Sequence, residues 1–209
     1  MKPVIAGDLR TLYEERKARI KARLAEFARV PAERYLYELL YCLMTPQSSA
    51  ENAEKAVEAL ERLRFAERGD DPEPILSAKT HYIRFHRQKA KRLLEAREEL
   101  PRICEALARG GPPSALREWL VEHVKGLGYK EATHFLRNIG KSGALAILDR
   151  HILRNLVRFG AIRSVPASLT RRRYLSIERK FRKLAEEVRI PLDELDLLFW
   201  SMETGTIRK

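Results

Sequence analysis

The chain is short of cysteine, of amide side chains and of long apolar runs, and each shortage removes a class of protein. Only Cys42 and Cys104 stand in 209 residues, too few for a four-cysteine iron–sulfur cluster or zinc ribbon. Each lies in a stretch of helical apolar spacing, so both are expected to be buried thiols, and nothing in the pattern supports a disulfide between them. No apolar run approaches the ~18 residues that a membrane helix needs. The first residues are polar and unlike a secretory signal, so a cytoplasmic protein without a membrane partner is expected. Three asparagines and two glutamines stand beside 33% charged residues, a bias that suits a thermophile. Internal repeats, low-complexity tracts and alternating strand patterns are also missing.

What the chain has in quantity is positive charge. Forty-one lysines and arginines face 29 acids, a formal net charge of +12, and a field of that sign favours a polyanion, with nucleic acid the leading candidate. With 44% hydrophobic residues the chain is long enough to bury the core of one or two small domains.

Apolar residues recur at helical spacing throughout, so the fold class is all-α. Asp8 is placed to cap a first helix with Leu9, Leu12, Tyr13, Ile20, Leu24 and Phe27 on its apolar stripe. Pro31 opens a second helix ending near Met44, and Ser48 caps a third with Ala53, Ala56, Val57, Leu60 and Leu63 inward. A loop over 70–74 leads to a short helix, and a long helix follows over 88–108, kinked or split at Pro101. Gly110-Gly111-Pro112-Pro113 is the strongest linker signal. Beyond it helices are predicted over 114–124, 129–139 and 149–159, then two more opened by Ser168 or Thr170 and by Pro191.

Between the first two of these lies Val124-Lys125-Gly126-Leu127-Gly128-Tyr129-Lys130. Its paired glycines permit a tight turn with positive φ and close approach of the backbone, and the amides at the start of the next helix then face a phosphate. The wider stretch from Lys125 to Asn138, with Ala146-Ile147-Leu148-Asp149-Arg150-His151, resembles the signature of the helix-hairpin-helix DNA glycosylases, in particular the archaeal and bacterial second class of 8-oxoguanine DNA glycosylases. The resemblance implies two helical lobes with the active site between them. With the linker at 110–113, the chain is then one glycosylase unit over 1–209, with one lobe over roughly 30–110 and the hairpin-bearing lobe made of 1–29 plus 111–209.

It also implies the chemistry. Lys130 would displace the damaged base at the anomeric carbon, form a Schiff base and cut the strand by β-elimination. A lysine nucleophile must be uncharged, and bringing an ordinary value near ~10.4 to ~7–8 costs about 4 kcal/mol. A helix dipole supplies only about 0.3–1 kcal/mol of that, up to ~2 when partly buried, so desolvation must supply the rest. Asp149 precedes a helical pattern and is an N-cap candidate; in the family the matching aspartate also stabilises positive charge as the base departs. Its 19-residue separation from Lys130 matches the family arrangement. His134, one turn after Lys130 on the same helical face, either orients the base, tunes the lysine or simply packs.

For DNA contact, the resemblance assigns His151 to a phosphate, a role that Arg150 or Arg154 suits equally, and Gly126 and Gly128 to the backbone grip. Gln47 sits where related proteins fill the gap left by the flipped base; its alternative is a plain connecting loop. The run from His81 to Lys89 mixes cations with aromatics, Arg84 and Phe85 among them, as a surface that stacks bases and holds phosphates would. At the other end, Trp200 and Lys209 have the nine-residue spacing with which that class stacks on and reads the base. A duplex containing 8-oxoguanine is the implied partner, and a monomer is expected. No redox or metal cofactor is implied, though hairpins of this kind hold a monovalent cation through main-chain carbonyls, here those of Glu122, Val124 and Leu127. Two alternatives remain: an oxidised-pyrimidine glycosylase, disfavoured by a tail without cysteine, and a helix-hairpin-helix module that only binds DNA.

Overall fold

A computed structural model describes residues 3–207 as eleven α-helices with short 3-10 turns and, among those residues, no strand. The chain forms two compact units, a continuous one over Val30–Phe135 and a split one that joins Met1–Arg29 to Leu136–Lys209.

In the continuous unit, α2 (Tyr35–Met44) is apolar almost throughout, with eight of its ten residues buried, and is packed by α3 (Ala50–Arg62) and α6 (His86–Arg109). The cap of α3 is Ser49 rather than the predicted Ser48: the Ser49 hydroxyl accepts the Asn52 N–H at 3.0 Å. Leu63, predicted to face inward, is the exposed C-cap of that helix, because the chain turns there into a left-handed Arg64. Two one-turn helices follow, α4 (Phe65–Arg68) and α5 (Glu73–Leu76), the first of them unpredicted because four residues give no periodicity to read.

The helix α6 runs through Pro101 unbroken. Pro101 is exposed, so the carbonyl one turn earlier that loses its bond can be satisfied by water. After the 110–112 break, α7 (Pro113–His123) packs back on α6. The Lys125–Glu95 ion pair at 3.1 Å ties the hairpin to the same helix. The unit therefore extends to Phe135, within α8 (Tyr129–Asn138), where the linker reading places a boundary near 110.

In the split unit, α1 (Pro3–Ala28) packs on α10 (Arg171–Val188) and α11 (Leu192–Thr204), and α9 (Arg150–Arg158) packs on α11. Asp8 lies inside α1 and does not cap it. From the predicted stripe Leu9, Tyr13, Ile20 and Phe27 are buried. Phe199 is sandwiched between Phe159 and Phe181, with ring centroids 5.2 and 5.5 Å away, the offset aromatic packing that adds to burial. Tyr13 donates to buried Glu194 at 2.6 Å, and Arg10 donates to the Arg189 carbonyl at 2.8 Å, beyond the last turn of α10. Gly140 has φ +68, and a Cβ there would lie 2.6 Å from the Ala28 Cα, so the join between α8 and α1 admits only glycine. Neither Cys42, which is buried, nor Cys104, which is half-buried, is in a disulfide.

Candidate active site

The hairpin belongs to the continuous unit. Val124 and Leu127 are buried and anchor it, and the Leu127 N–H bonds the Val124 carbonyl at 3.2 Å. Of the two glycines only Gly126 has a positive φ, +93, and a Cβ there would also strike the Arg92 side chain at 2.7 Å. Gly128 has an ordinary backbone; a Cβ there would meet only the Glu131 carboxylate, at 3.1 Å. Val124, one of the three carbonyls assigned to a cation, keeps a second lone pair beyond its bond to Leu127, so the turn's chemistry fits such an ion. Among the described residues no group of three or more His, Cys, Asp or Glu is placed to hold a metal.

Lys130 is the second residue of α8 and is half-buried, its side chain 22% exposed. Its Nζ lies 3.9 Å from Glu131 Oε1. The start of α8 is held from below by Arg117, itself buried, which donates to Thr133 Oγ1 at 3.3 Å and stacks 5.1 Å over the Tyr129 ring. His134 is buried and meets Tyr41 edge-on at 5.6 Å. Of its three readings, packing is the one this burial favours.

Two more predicted residues of this unit stand out by their backbone. Gln47 has φ +56 and Phe85 φ +61, both are exposed, and neither is glycine. The Arg84 guanidinium lies 4.9 Å over the Phe85 ring. The run from His81 to Lys89 is not one surface, however: Ile83 and Lys89 are buried, because the turn at 82–85 and the start of α6 alternate outward and inward positions. The sequence pattern puts Lys89 on a cationic face, and only its neighbour Ala90 and the helical spacing point inward.

The split unit carries Asp149, whose Oδ1 accepts the Ile152 N–H at 2.8 Å and caps α9. The four buried residues before it, Leu145 to Leu148, are not helical, so their backbone donors need partners from elsewhere. Side chains supply them. The Ala146 N–H donates to Glu178 at 2.9 Å, the Ile147 N–H to Asp196 at 3.3 Å, and the Leu148 N–H to the Tyr174 hydroxyl at 3.2 Å. Tyr174 donates in turn to the Ala146 carbonyl at 2.5 Å.

Burial pushes Asp196 up to about 7, with Asp149 adding to the rise and Arg137, 3.8 Å away, opposing it. Sequence reasoning missed this set. Its signal was acids and a tyrosine on apolar faces, Tyr174 and Glu178 one turn apart on α10 and Asp196 in the apolar run of α11.

Near Asp149 on the same unit, Arg150 is exposed and His151 half-exposed. His151 lies 6.1 Å from the half-buried Trp200 and 3.7 Å from Glu203, which also attracts Arg154 at 3.9 Å. The structure thus gathers Asp149, Arg150, His151 and Trp200 on one unit, and Gln47, Arg84, Phe85 and the hairpin with Lys130 on the other. Lys209, assigned to reading the base, lies outside the described residues.

The family model for 8-oxoguanine DNA glycosylase matches residues 20–190. The chain belongs to that family. Among its glycosylase relatives, an 8-oxoguanine DNA glycosylase/AP lyase of Fusobacterium nucleatum is 39% identical, covering 97% of each chain. One of Korarchaeum cryptofilum is also 39% identical, over 91% of this chain and 90% of its own. The 8-oxoguanine glycosylase/lyase of Methanocaldococcus jannaschii, solved in complex with a 15mer DNA containing 8-oxoguanine, superimposes with a TM-score of 0.88 at 34% identity over 99% of this chain and 100% of that one. The 8-oxoguanine DNA glycosylase of Thermotoga maritima superimposes with a TM-score of 0.85 at 32% identity over 98% of each. The fold is the all-α helix-hairpin-helix fold of these glycosylases.

Proposed function

We propose that the protein removes 8-oxoguanine from duplex DNA and then cuts the strand, acting as a glycosylase and an AP lyase. The observation that carries the reading is family membership over nearly the whole chain, with a half-buried lysine at the head of α8 and a capping aspartate at the head of α9 in the family's spacing.

In this reaction Lys130, once neutral, attacks the sugar C1′. The N-glycosidic bond breaks, its electron pair leaves with the base, and a proton accompanies the departing base. The resulting N,O-acetal then opens at its C1′–O4′ bond, O4′ taking a proton, to give a Schiff base, and loss of a C2′ proton expels the 3′ phosphate by β-elimination. Glu131, 3.9 Å from the amine, is a carboxylate within one water of the proton that Lys130 must lose. Asp149 is fixed by its bond to Ile152, and a fixed carboxylate beside the sugar stabilises the positive charge that develops as the base departs.

Trp200 and Lys209 are assigned to stacking on and reading the base, Phe85 to contact with it, and His134 to supporting it from the interior. Gln47, Arg84, Gly126, Gly128, Arg150 and His151 are assigned to DNA. The hairpin carbonyls of Glu122, Val124 and Leu127 are assigned to a monovalent cation. The protein acts as a monomer in the cytoplasm; no described helix is long and apolar enough to cross a membrane. Reduction with borohydride during reaction with an 8-oxoguanine duplex tests the reading: a covalent protein–DNA adduct is expected, and DNA binding without any adduct rejects it in favour of a binding module.

A further inference from the structure

Lys89 is 2% exposed, and no step of the reaction above uses it. Its ammonium donates to the Met44 carbonyl at 2.6 Å, to the Pro46 carbonyl at 2.7 Å and to the Ser48 hydroxyl at 3.3 Å. The same hydroxyl accepts the Arg84 N–H at 3.0 Å. Lys89 also belongs to the first turn of α6, where its own N–H bonds the Phe85 carbonyl at 2.9 Å. One buried cation therefore laces together two turns that are far apart in sequence, 44–48 and 82–86.

Each turn has one residue in the left-handed region, Gln47 in the first and Phe85 in the second, and both side chains are exposed. Such a backbone costs about 1 kcal/mol or more for a residue with a Cβ. A buried ammonium is tolerated only when it is well bonded, and here burial, with Arg92 adding, pushes it down to about 8. Glycine at 47 and 85 would close the same turns without strain, and an apolar residue at 89 would fill the interior without a charge. Neither simplification is used. Three costs that converge on the direction of two exposed side chains point to a demand on where those side chains project.

We propose that Lys89 is a positioning residue: through the two turns it sets the directions in which Gln47 enters the gap and Phe85 meets the base as the damaged nucleotide leaves the duplex. Lys89 touches neither DNA nor the reacting atoms. The inference rests on the glycosylase reading and on the gap-filling role assigned to Gln47. It separates Lys89 from a core residue by its dependence on base pairing, because holding a lesion out of the stack matters most when that lesion has a partner to return to.

The test compares single-turnover excision from two duplexes, one with 8-oxoguanine opposite cytosine and one with it opposite an abasic residue. Lys89→Met in the full chain should slow the paired substrate by about tenfold or more and the unpaired one by less than about threefold. In a Gln47→Ala, Phe85→Ala background the same substitution should slow the paired substrate by less than about twofold, since residues acting as a unit are not additive. Ser48→Ala, which removes only the shared hydroxyl, should give about a threefold loss confined to the paired duplex, and it carries the test if Lys89→Met does not fold. Equal losses on the two duplexes, or a full loss in the double-alanine background, overturn the inference while leaving the glycosylase intact. A wild-type protein that excises from neither duplex overturns the glycosylase reading, and this inference falls with it.

Discussion

The two units hold their key residues by different means. In Val30–Phe135, placement comes from the backbone: a positive φ at Gly126 shapes the hairpin before Lys130, and positive φ at Gln47 and Phe85 turns two side chains outward. In the split unit, placement comes from side chains: Glu178, Asp196 and Tyr174 take up the amides of a buried non-helical segment and so deliver Asp149 to the head of α9. The first device costs local strain, with the Lys89 ammonium joining the two strained turns. The second is remote in sequence, spanning 26 to 49 residues, and costs buried polar groups. One unit is thereby sensitive to any Cβ or glycine change in a turn, the other to any loss of a buried acceptor.

The largest expected effect lies at Asp149, where a cap and the proposed catalytic charge coincide. Asp149→Asn keeps a good capping side chain but removes the charge. Single-turnover excision should fall by about 10²–10³-fold while the melting temperature hardly moves. A large loss of stability with little loss of rate would mean that capping is all Asp149 does.

Next in size is the acceptor set. Glu178→Ala strands the Ala146 N–H in the interior and should cost about 1–3 kcal/mol in denaturant unfolding. If stability is unchanged, the buried bonds do not hold the segment as described.

The hairpin gives a smaller and contrasting effect. Gly126→Ala should destabilise by about 1–2 kcal/mol through its φ of +93, and should weaken DNA binding. Gly128→Ala, at an ordinary φ, should change binding less, with only the Glu131 carboxylate to move. Equal effects at both glycines would contradict the single-glycine geometry. Titrating DNA at several salt concentrations separates a lost phosphate contact from a fold defect.

The smallest effect is on pH. Asp196 is raised from an ordinary value of 3.8 to about 7. A raised folded value means that its contribution to stability is fully present below about pH 4 and lost as pH climbs through 7. The wild-type melting temperature should therefore carry a component that falls between about pH 4 and 7, and Asp196→Asn should flatten it. An unchanged slope in that variant would show that the carboxyl does not titrate there.

What was legible in the sequence follows the same division. The helices were readable because their apolar stripes are local, and Asp149 was readable as a cap, with Thr170 one of two candidates beside Ser168, because a cap is a short-range pattern. The reach of the continuous unit to Phe135 was not, since a Gly-Gly-Pro-Pro break ends a helix without saying what the next one packs on. Ser48 and Ser49 are equivalent candidates by pattern. The distinction between them lies in the partners of Ser48, Arg84 and Lys89, 36 and 41 residues away. The strained backbones of Gln47 and Phe85 were invisible for the same reason: left-handed residues other than glycine have no local signature. Lys130 and Asp149 are proposed from a family pattern, whereas the groups that hold Asp149 in place emerge only from three-dimensional packing.

The proposed chemistry stands on a covalent bond from Lys130 to the sugar. Borohydride trapping with an 8-oxoguanine duplex, run on the wild-type chain beside Lys130→Gln, tests it most directly. The expected result is an adduct whose cross-linked residue maps to Lys130 by mass spectrometry, with none in the variant although it still binds the duplex. An adduct of undiminished yield in Lys130→Gln, or one mapped to another residue, contradicts it.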